Sequence, residues 1–385
     1  MRAVIGHSDD VDEEDAIAEV IAQCREALAG EPPKAGMLFM SAEYDHQLVL
    51  DAIAEAWPDL PLIGSTSDGE MSSECGYRND SIVLTLLAGA ELTATAGVGR
   101  RLSEDPEAAV VEALGAIDPD DKPRIVLTTF APSTDASMVL ARINAHMPTT
   151  DVPVLGGLSG DHRNQSRIHE FCGSELLSDS LPLLFLGGDI QATWGIGSGW
   201  EPMGRAFRIT ESAGHIVHRI DDRPATDVYT LFYGEVPSGQ LGAFPIAVSE
   251  DGPNGPWQLR AVLGTDMETG ELRMTGGVGS GAWVSMTEVV KSGVLSGTLT
   301  SIHNAMAGFD GRPEVAFLFS CAARKWVLGS SAEDEIATVV EALPGTTDAL
   351  GMAGLYVYGE IAPDAPGTPS VLHNETCITV LLGAA

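Results

Sequence analysis

The spacing of apolar residues divides the chain into short runs of two kinds. From Asp10 to Gly30, residues Ile17, Val20, Ile21, Cys24 and Leu28 recur at three- and four-residue steps, the period of one helical face. Asp10 with Glu13 reads as a capping box with Asp in the usual Ser/Thr place, and Gly30 reads as the stop. Pro32-Pro33 breaks the chain. Met37 to Met40 predicts a short buried strand, and Tyr44 to Trp57 a second helix with Leu48, Ile53, Ala54 and Trp57 inward. Leu60 to Ser65 predicts a strand that runs into Gly64-Ser65-Thr66-Ser67-Asp68-Gly69-Glu70. Ser81 to Leu87 and Leu92 to Val98 predict two strands, joined through Ala88-Gly89-Ala90 as a hairpin.

The same order then recurs. Pro106 to Ile117 predicts a helix, the stretch 118–121 a turn, Arg124 to Phe130 a strand and Thr134 to His146 a helix. Val152 to Leu155 predicts a strand before a second Gly/Ser turn, Gly156-Gly157-Leu158-Ser159-Gly160-Asp161. Ser180 to Leu186 and Ile190 to Ile196 form the second strand pair. Thr95, Gly97 and Val98 fall on Thr193, Gly195 and Ile196 at a constant offset of 98, which argues for an internal duplication of units at about 1–100 and 101–200.

The C-terminal part echoes the unit. It has helices at Thr287 to Phe309 and Glu333 to Leu343, the latter ended by Pro344-Gly345. Its strands are Val315 to Ser320, Gly354 to Tyr358 and Glu375 to Leu382. A different segment lies between, with a helix-like patch at Asp227 to Tyr233 and strands at Phe244 to Val248, Trp257 to Leu263 and Glu271 to Thr275. The boundary falls near Trp200 to Pro202, dividing a domain of 1–200 from one of 201–385. The expected fold is α/β of mixed α+β character. Repeated strand-helix-strand-strand units form mixed sheets with helices on their outer faces, as in an αββα-like sandwich.

Composition narrows the partners. With 55 acids against 21 basic residues the formal charge is −34, which argues against nucleic acid and against an anionic membrane surface. No apolar run approaches the roughly 18–20 residues of a membrane span. Five scattered cysteines without a Cys-x-x-Cys spacing argue against a disulfide framework or zinc ribbon, so a reduced cytoplasmic location is expected.

Candidate chemistry is sparse. Gly276-Gly277-Val278-Gly279-Ser280-Gly281 lacks the full dinucleotide spacing, and no P-loop lysine exists. Gly157-Leu158-Ser159-Gly160 misses the nucleophile-elbow spacing. Asp161, His162, His169, Glu170 and Cys172 form one polar cluster and His215 with His218 another. Neither has a standard metal spacing, so no metal and no cofactor is expected. Phe319-Ser320-Cys321-Ala322-Ala323-Arg324 carries more: a buried strand ends beside a thiol, with Arg324 within reach to attract an anion. A thiol hydrolase can be drawn from Cys321, His373 and Asn374; a ligand pocket and a purely structural role are the competing readings.

These motifs resemble the FIST family, the sensory domain shared by bacterial signalling proteins and certain F-box proteins. The FIST N pattern is similar to Gly64 to Glu70, Asp80-Ser81-Ile82-Val83, Leu155 to Asp161 and Thr193 to Pro202. The FIST C pattern is similar to Phe319 to Arg324, Tyr356 to Pro363 and His373-Asn374-Glu375-Thr376. The resemblance implies a small-ligand sensor in intracellular signalling, with amino acids or related metabolites as ligands. No kinase, cyclase, methyl-accepting or F-box segment is evident, so output is expected through a partner protein or homo-oligomerisation. On this reading Arg324 binds a carboxylate, Glu360 takes an ammonium group, Tyr358, His373 and Asn374 shape the pocket, and Cys321 lines its floor. Ser65, Thr66, Glu70, Ser159 and Asp161 supply a second pocket or an interface. A cysteine-dependent hydrolase or transferase and a protein-interaction scaffold are the alternatives.

Overall fold

The computed structural model describes residues 1–118, 122–147, 149–162, 167–343 and 350–385. The first unit runs β1 (Arg2–Ser8), α1 (Glu13–Leu28), β2 (Pro33–Met40), α2 (His46–Ala56), β3 (Leu62–Thr66), β4 (Glu70–Ser72), β5 (Gly76–Arg78) and β6 (Ile82–Ala88). The second repeats it: β7 (Leu92–Arg100), α3 (Pro106–Leu114), β8 (Pro123–Phe130), α4 (Ala136–His146), β9 (Val154–Leu158), β10 (Glu170–Cys172), β11 (Glu175–Leu177) and β12 (Ser180–Gly188).

A third unit opens with β13 (Ile190–Gly197) and is then interrupted. The interruption holds β14 (Glu201–Ala213), β15 (Ile216–Ile220), β16 (Arg223–Pro224), α5 (Ala225–Tyr233), β17 (Ile246–Ser249), β18 (Gln258–Arg260), β19 (Val262–Asp266), β20 (Glu271–Met274) and β21 (Trp283–Glu288). The unit resumes with α6 (Lys291–Ala307), β22 (Val315–Cys321), α7 (Ala322–Leu328), α8 (Glu333–Ala342), β23 (Gly351–Val357), β24 (Glu360–Pro363), β25 (Ser370–His373) and β26 (Cys377–Ala384).

Three six-stranded sheets result, with one order: β1-β6-β2-β3-β10-β11, β7-β12-β8-β9-β24-β25 and β13-β26-β22-β23-β4-β5. Each sheet takes four strands from its own unit and a two-stranded hairpin from another. The donation is cyclic: unit two to one, three to two, one to three. The inserted strands form a separate antiparallel sheet, β18-β17-β21-β14-β15-β20-β19, with β16 beside β15.

The period-two pattern of the central strands explains the layers. β2 sends Met37 and Phe39 into a core shared by all three sheets, and Leu38 and Met40 towards α1 and α2. β22 does the same with Val315, Phe317 and Phe319 inward and Leu318 towards α6 and α8. Phe39 and Phe319 meet edge to face across that core at 6.3 Å. Burying side chains of this size is worth roughly 1.5–3 kcal/mol each. The mixed α/β class and the outer helices are as the sequence led us to expect; it is three sheets, not a two-layer sandwich, that meet at the core.

The expected hairpins do not form. Both edges of β6 are occupied, by β1 and β2, so β7 crosses to pair with β12. β12 in turn is flanked by β7 and β8, and β13 crosses to β26. The glycines behind the 98-residue offset have a packing reason. A Cβ on Gly97 would lie 2.3 Å from the Ala113 carbonyl of α3, and one on Gly195 2.0 Å from the Ser301 carbonyl of α6. Only a bare backbone lets each helix lie so close on its strand. The cap of α1 is Asp12, which accepts from the Glu14 and Asp15 N–H groups; Asp10 accepts instead from Asp12 N–H. Residues 119–121 of the expected turn, and Pro344-Gly345, lie outside the described residues.

Candidate functional site

The three units meet where β3, β9 and β23 end. Gly64, Gly156 and Gly354 hold the same place in these strands, and a Cβ on each would lie 1.9, 1.8 and 2.7 Å from the carbonyls of Leu38, Thr128 and Leu318. Beyond them the backbones join in a ring. Asp68 N–H donates to the Tyr356 carbonyl at 3.0 Å, Tyr358 N–H to Leu158 at 2.8 Å, and Gly160 N–H to Thr66 at 3.2 Å.

Each donated hairpin begins with a fully buried glutamate beside this ring: Glu70, Glu170 and Glu360. Each reaches back to a hydroxyl just before or at the start of its own unit's last strand. Glu70 Oε2 accepts from Ser81 Oγ at 2.8 Å, Glu170 Oε2 from Ser180 Oγ at 3.1 Å, and Glu360 Oε2 from Thr376 Oγ1 at 2.6 Å. Burial pushes all three carboxyls up to about 8, against the pull of these hydroxyls.

The three are not equally satisfied. Glu70 is closed, because Ser67 Oγ donates to its Oε1 at 2.5 Å. Oε1 of Glu170 and Oε1 of Glu360 have no hydrogen-bond partner among the described residues. The third position is the most open. Glu375, next to Thr376, is wholly buried, and neither of its carboxyl oxygens has a partner among the described residues. Burial and the nearby Glu360 push its carboxyl well above the usual range, with Arg260 of the inserted sheet opposing them. The Cys321 thiol is raised well above its ordinary value by burial and by Glu360 and Glu375. Asn374 Oδ1 accepts from Thr275 Oγ1 at 2.5 Å and ties this corner to the inserted sheet.

Several expected residues are placed otherwise. Arg324 is completely buried and committed to structure. It pairs with Glu335 Oε1 at 2.8 Å, donates to Thr298 Oγ1 at 2.7 Å and the Val294 carbonyl at 2.8 Å, and also meets the Ser198 carbonyl. The carboxylate-anchoring role expected of it is corrected accordingly: its donors knit α6, α7, α8 and the segment after β13. His373 Nε2 engages the Ala362 carbonyl at 3.1 Å and Asp364 at 3.8 Å. Neither it nor Asn374 hydrogen-bonds Cys321 among the described residues, so the Cys-His-Asn constellation is not assembled.

Tyr358 lies on the ring instead, its hydroxyl 3.3 Å from Asp68 Oδ1 and 3.4 Å from Asp161 Oδ1. Thr66 Oγ1 accepts from His169 N–H at 3.1 Å, while the hydroxyls of Ser65 and Ser159 are buried without a partner among the described residues. Gly279 N–H donates to Glu250 at 3.3 Å, so an acid stands where a phosphate-binding loop would hold its anion. Among the described residues no three His, Cys, Asp or Glu side chains are grouped to hold a metal ion.

Sequence reasoning did not single out Lys325, Arg260 or Glu375. Lys325 Nζ sits 2.9 Å from Asp68 Oδ2. The signal for the glutamates was present: Asp80-Ser81, Asp179-Ser180 and Glu375-Thr376 each put an acid and a hydroxyl before an apolar strand.

The chain matches the FIST N domain over residues 34–223 and the FIST C domain over residues 225–363. It belongs to the FIST family. FIST domains are sensory domains of signal transduction proteins. Among relatives of this FIST protein, the uncharacterized Rv0628c of Mycobacterium tuberculosis is 23% identical over 399 residues, covering 99% of each chain. The uncharacterized Mb0898c of Mycobacterium bovis is 24% identical over 405 residues, covering 99% of this chain and 98% of that one. A cyanuric acid hydrolase from A. caulinodans aligns over 100% of this chain and 99% of its own, at 8% identity and a TM-score of 0.36. Among the described residues no helix is long and apolar enough to cross a membrane.

Proposed function

We propose that this FIST protein is a ligand-binding sensor for an amino acid or a related amine-bearing metabolite. The ammonium group is received by Glu360 and Glu375, a carboxylate by Arg260, and Cys321 and Asn374 line the site. The observation that carries the reading is Glu375, a carboxyl wholly buried with neither oxygen hydrogen-bonded among the described residues. An unsatisfied buried polar group costs about 1–3 kcal/mol. A cation donating to Glu375 and to Glu360 Oε1 removes that cost and turns a destabilising pair into a binding site. Arg260 replaces Arg324 as the carboxylate partner because it acts on Glu375 and is not committed to a buried ion pair. The altered ligand state is read by a partner protein or by self-association, in the cytoplasm; the five free cysteines fit a reducing compartment.

A thermal-shift screen of amino acids and small amines tests this. A ligand at ten times its Kd adds about 1.4 kcal/mol of stability. Glu375→Gln should abolish the shift. Absence of a response to every amine-bearing compound, or a shift that survives in Glu375→Gln, would sink the proposal.

A further inference from the structure

The three glutamates occupy one position in a repeated design, so their differences can be compared directly. Ser67 and Ser159 follow β3 and β9 immediately, and both backbones dock on the preceding parallel strand. Ser67 N–H donates to the Met40 carbonyl at 3.2 Å, Ser159 N–H to the Phe130 carbonyl at 2.9 Å. In the first unit the glutamate comes three residues after Ser67, and the hydroxyl closes on Glu70 at 2.5 Å. In the second unit the glutamate comes eleven residues later, at Glu170. Ser159 Oγ and Glu170 Oε1 are then both buried with no hydrogen-bond partner among the described residues.

A third buried hydroxyl lies across the strand pair from Glu170. Glu170 pairs directly with Ser65 across β10 and β3. Directly opposed residues share a face, with Cβ atoms about 4.5–5.5 Å apart. Ser65 Oγ is also buried and without a partner among the described residues. Residues Ser65, Ser159 and Glu170 are all completely shielded from solvent. The other two units lack this set: the residue opposite Glu70 is Leu355, and the one opposite Glu360 is Gly157.

We infer that Ser65, Ser159 and Glu170 form a second ammonium-accepting site, at the crossover between the first two sheets. The inference rests on the reading of Glu360 and Glu375 as an ammonium acceptor, applied to an independent position. A hydroxyl rotates to present a lone pair, so two serines and one carboxyl oxygen offer three acceptors. An ammonium group, or the head of a primary amine, donates in three directions from one nitrogen and matches that set. The protein therefore holds two amine sites, with the first unit's copy closed by its own serine.

The probe is 15N-labelled ammonium chloride titrated into the full chain and followed by proton–nitrogen NMR, with sodium chloride as the ionic-strength control. Two bound ammonium signals are expected. Glu170→Gln should remove one and Glu375→Gln the other, while Glu70→Gln should leave both. Ser65→Ala removes one acceptor without touching the carboxyl, and should weaken the Glu170 signal's Kd at least tenfold. A single bound signal, lost in Glu375→Gln and indifferent to Glu170→Gln and Ser65→Ala, overturns this inference and leaves the first site standing; buried water alone then fills the second. No bound signal at all overturns both.

Discussion

The hydroxyl of Ser67 donates to Glu70 at 2.5 Å, and this bond separates a structural glutamate from two that remain open. Ser67→Ala therefore makes the first copy resemble the others. Leaving a buried carboxyl oxygen unpaired costs about 1–3 kcal/mol. The midpoint of urea unfolding should fall accordingly, while Ser159→Ala, which removes a hydroxyl with no partner among the described residues, should change it little. Equal losses in the two variants would remove the distinction between closed and open copies.

Arg324 and Arg260 should behave as opposites. Arg324 faces Glu335 at 2.8 Å with both side chains fully buried. Burial works against charge on Glu335, yet Arg324 holds its carboxyl below the usual range. Removing one partner of a buried pair typically costs about 3–5 kcal/mol, because the other charge is left uncompensated. Arg324→Ala should thus unfold at much lower denaturant or fail to fold. Arg260→Ala should fold normally and lose the carboxylate-dependent part of ligand binding. Calorimetry with an amino acid and its decarboxylated amine distinguishes them: the preference for the amino acid should vanish in Arg260→Ala.

How much of this was legible in the sequence depended on whether the signal was local. The period of Ile17, Val20, Cys24 and Leu28 located α1, and the apolar run from Met37 to Met40 located β2, because each pattern reports its own segment's packing. The strand partners were not legible. β6 and β7 are adjacent in sequence and read as a hairpin, but both edges of β6 were already filled by β1 and β2. That fact belongs to the whole sheet. Arg324 misled for a related reason. Its position after a strand end suited an anion, whereas its partner Glu335 is eleven residues away on another helix and gave no local sign. Glu360 was singled out through the resemblance of Tyr356 to Pro363 to the FIST C pattern; Glu375, one residue before Thr376, needed the comparison of three copies to stand out.

Stability should increase as pH is lowered from about 8.5 to 6.5. Glu70, Glu170 and Glu360 hold their protons in the fold to about 8. Unfolded glutamates lose theirs near 4.3. The stabilising contribution of each protonated carboxyl is complete below the unfolded value and is lost as pH rises through the folded one. The slope is at most on the order of 1 kcal/mol per pH unit for each group. His7 and His46, lowered to about 4 by burial, act in the other direction only below their ordinary value of 6.5, where the unfolded chain gains protons first. Thermal unfolding across this range should show Tm falling towards alkaline pH, and each Glu→Gln substitution should flatten the profile. A Tm that is flat or rises between 6.5 and 8.5 would contradict the buried, protonated state of these carboxyls.

Cutting the chain near residue 200 should not give two independently stable halves. β13 pairs with β26 over eight residues, β4 with β23, and β24 with β9, so each half lends strands to sheets centred in the other. Separated, residues 1–200 expose the edge of β9 and the inward faces of Met37, Phe39, Ile125 and Leu127, which the third sheet covers. Unpaired edges and uncovered cores of this kind associate or remain unfolded. The inserted sheet is different, because its core is its own, built on Phe207, Ile209, Val217, Tyr229 and Val284. Expressed apart, the two halves should lack cooperative unfolding transitions, and mixing them should restore one. Excising 201–288 and closing the gap with a short flexible linker should preserve the three-sheet core while abolishing the contribution of Arg260. Cooperative melting of the isolated 1–200 fragment as a monomer would show that the exchanged hairpins are dispensable for folding.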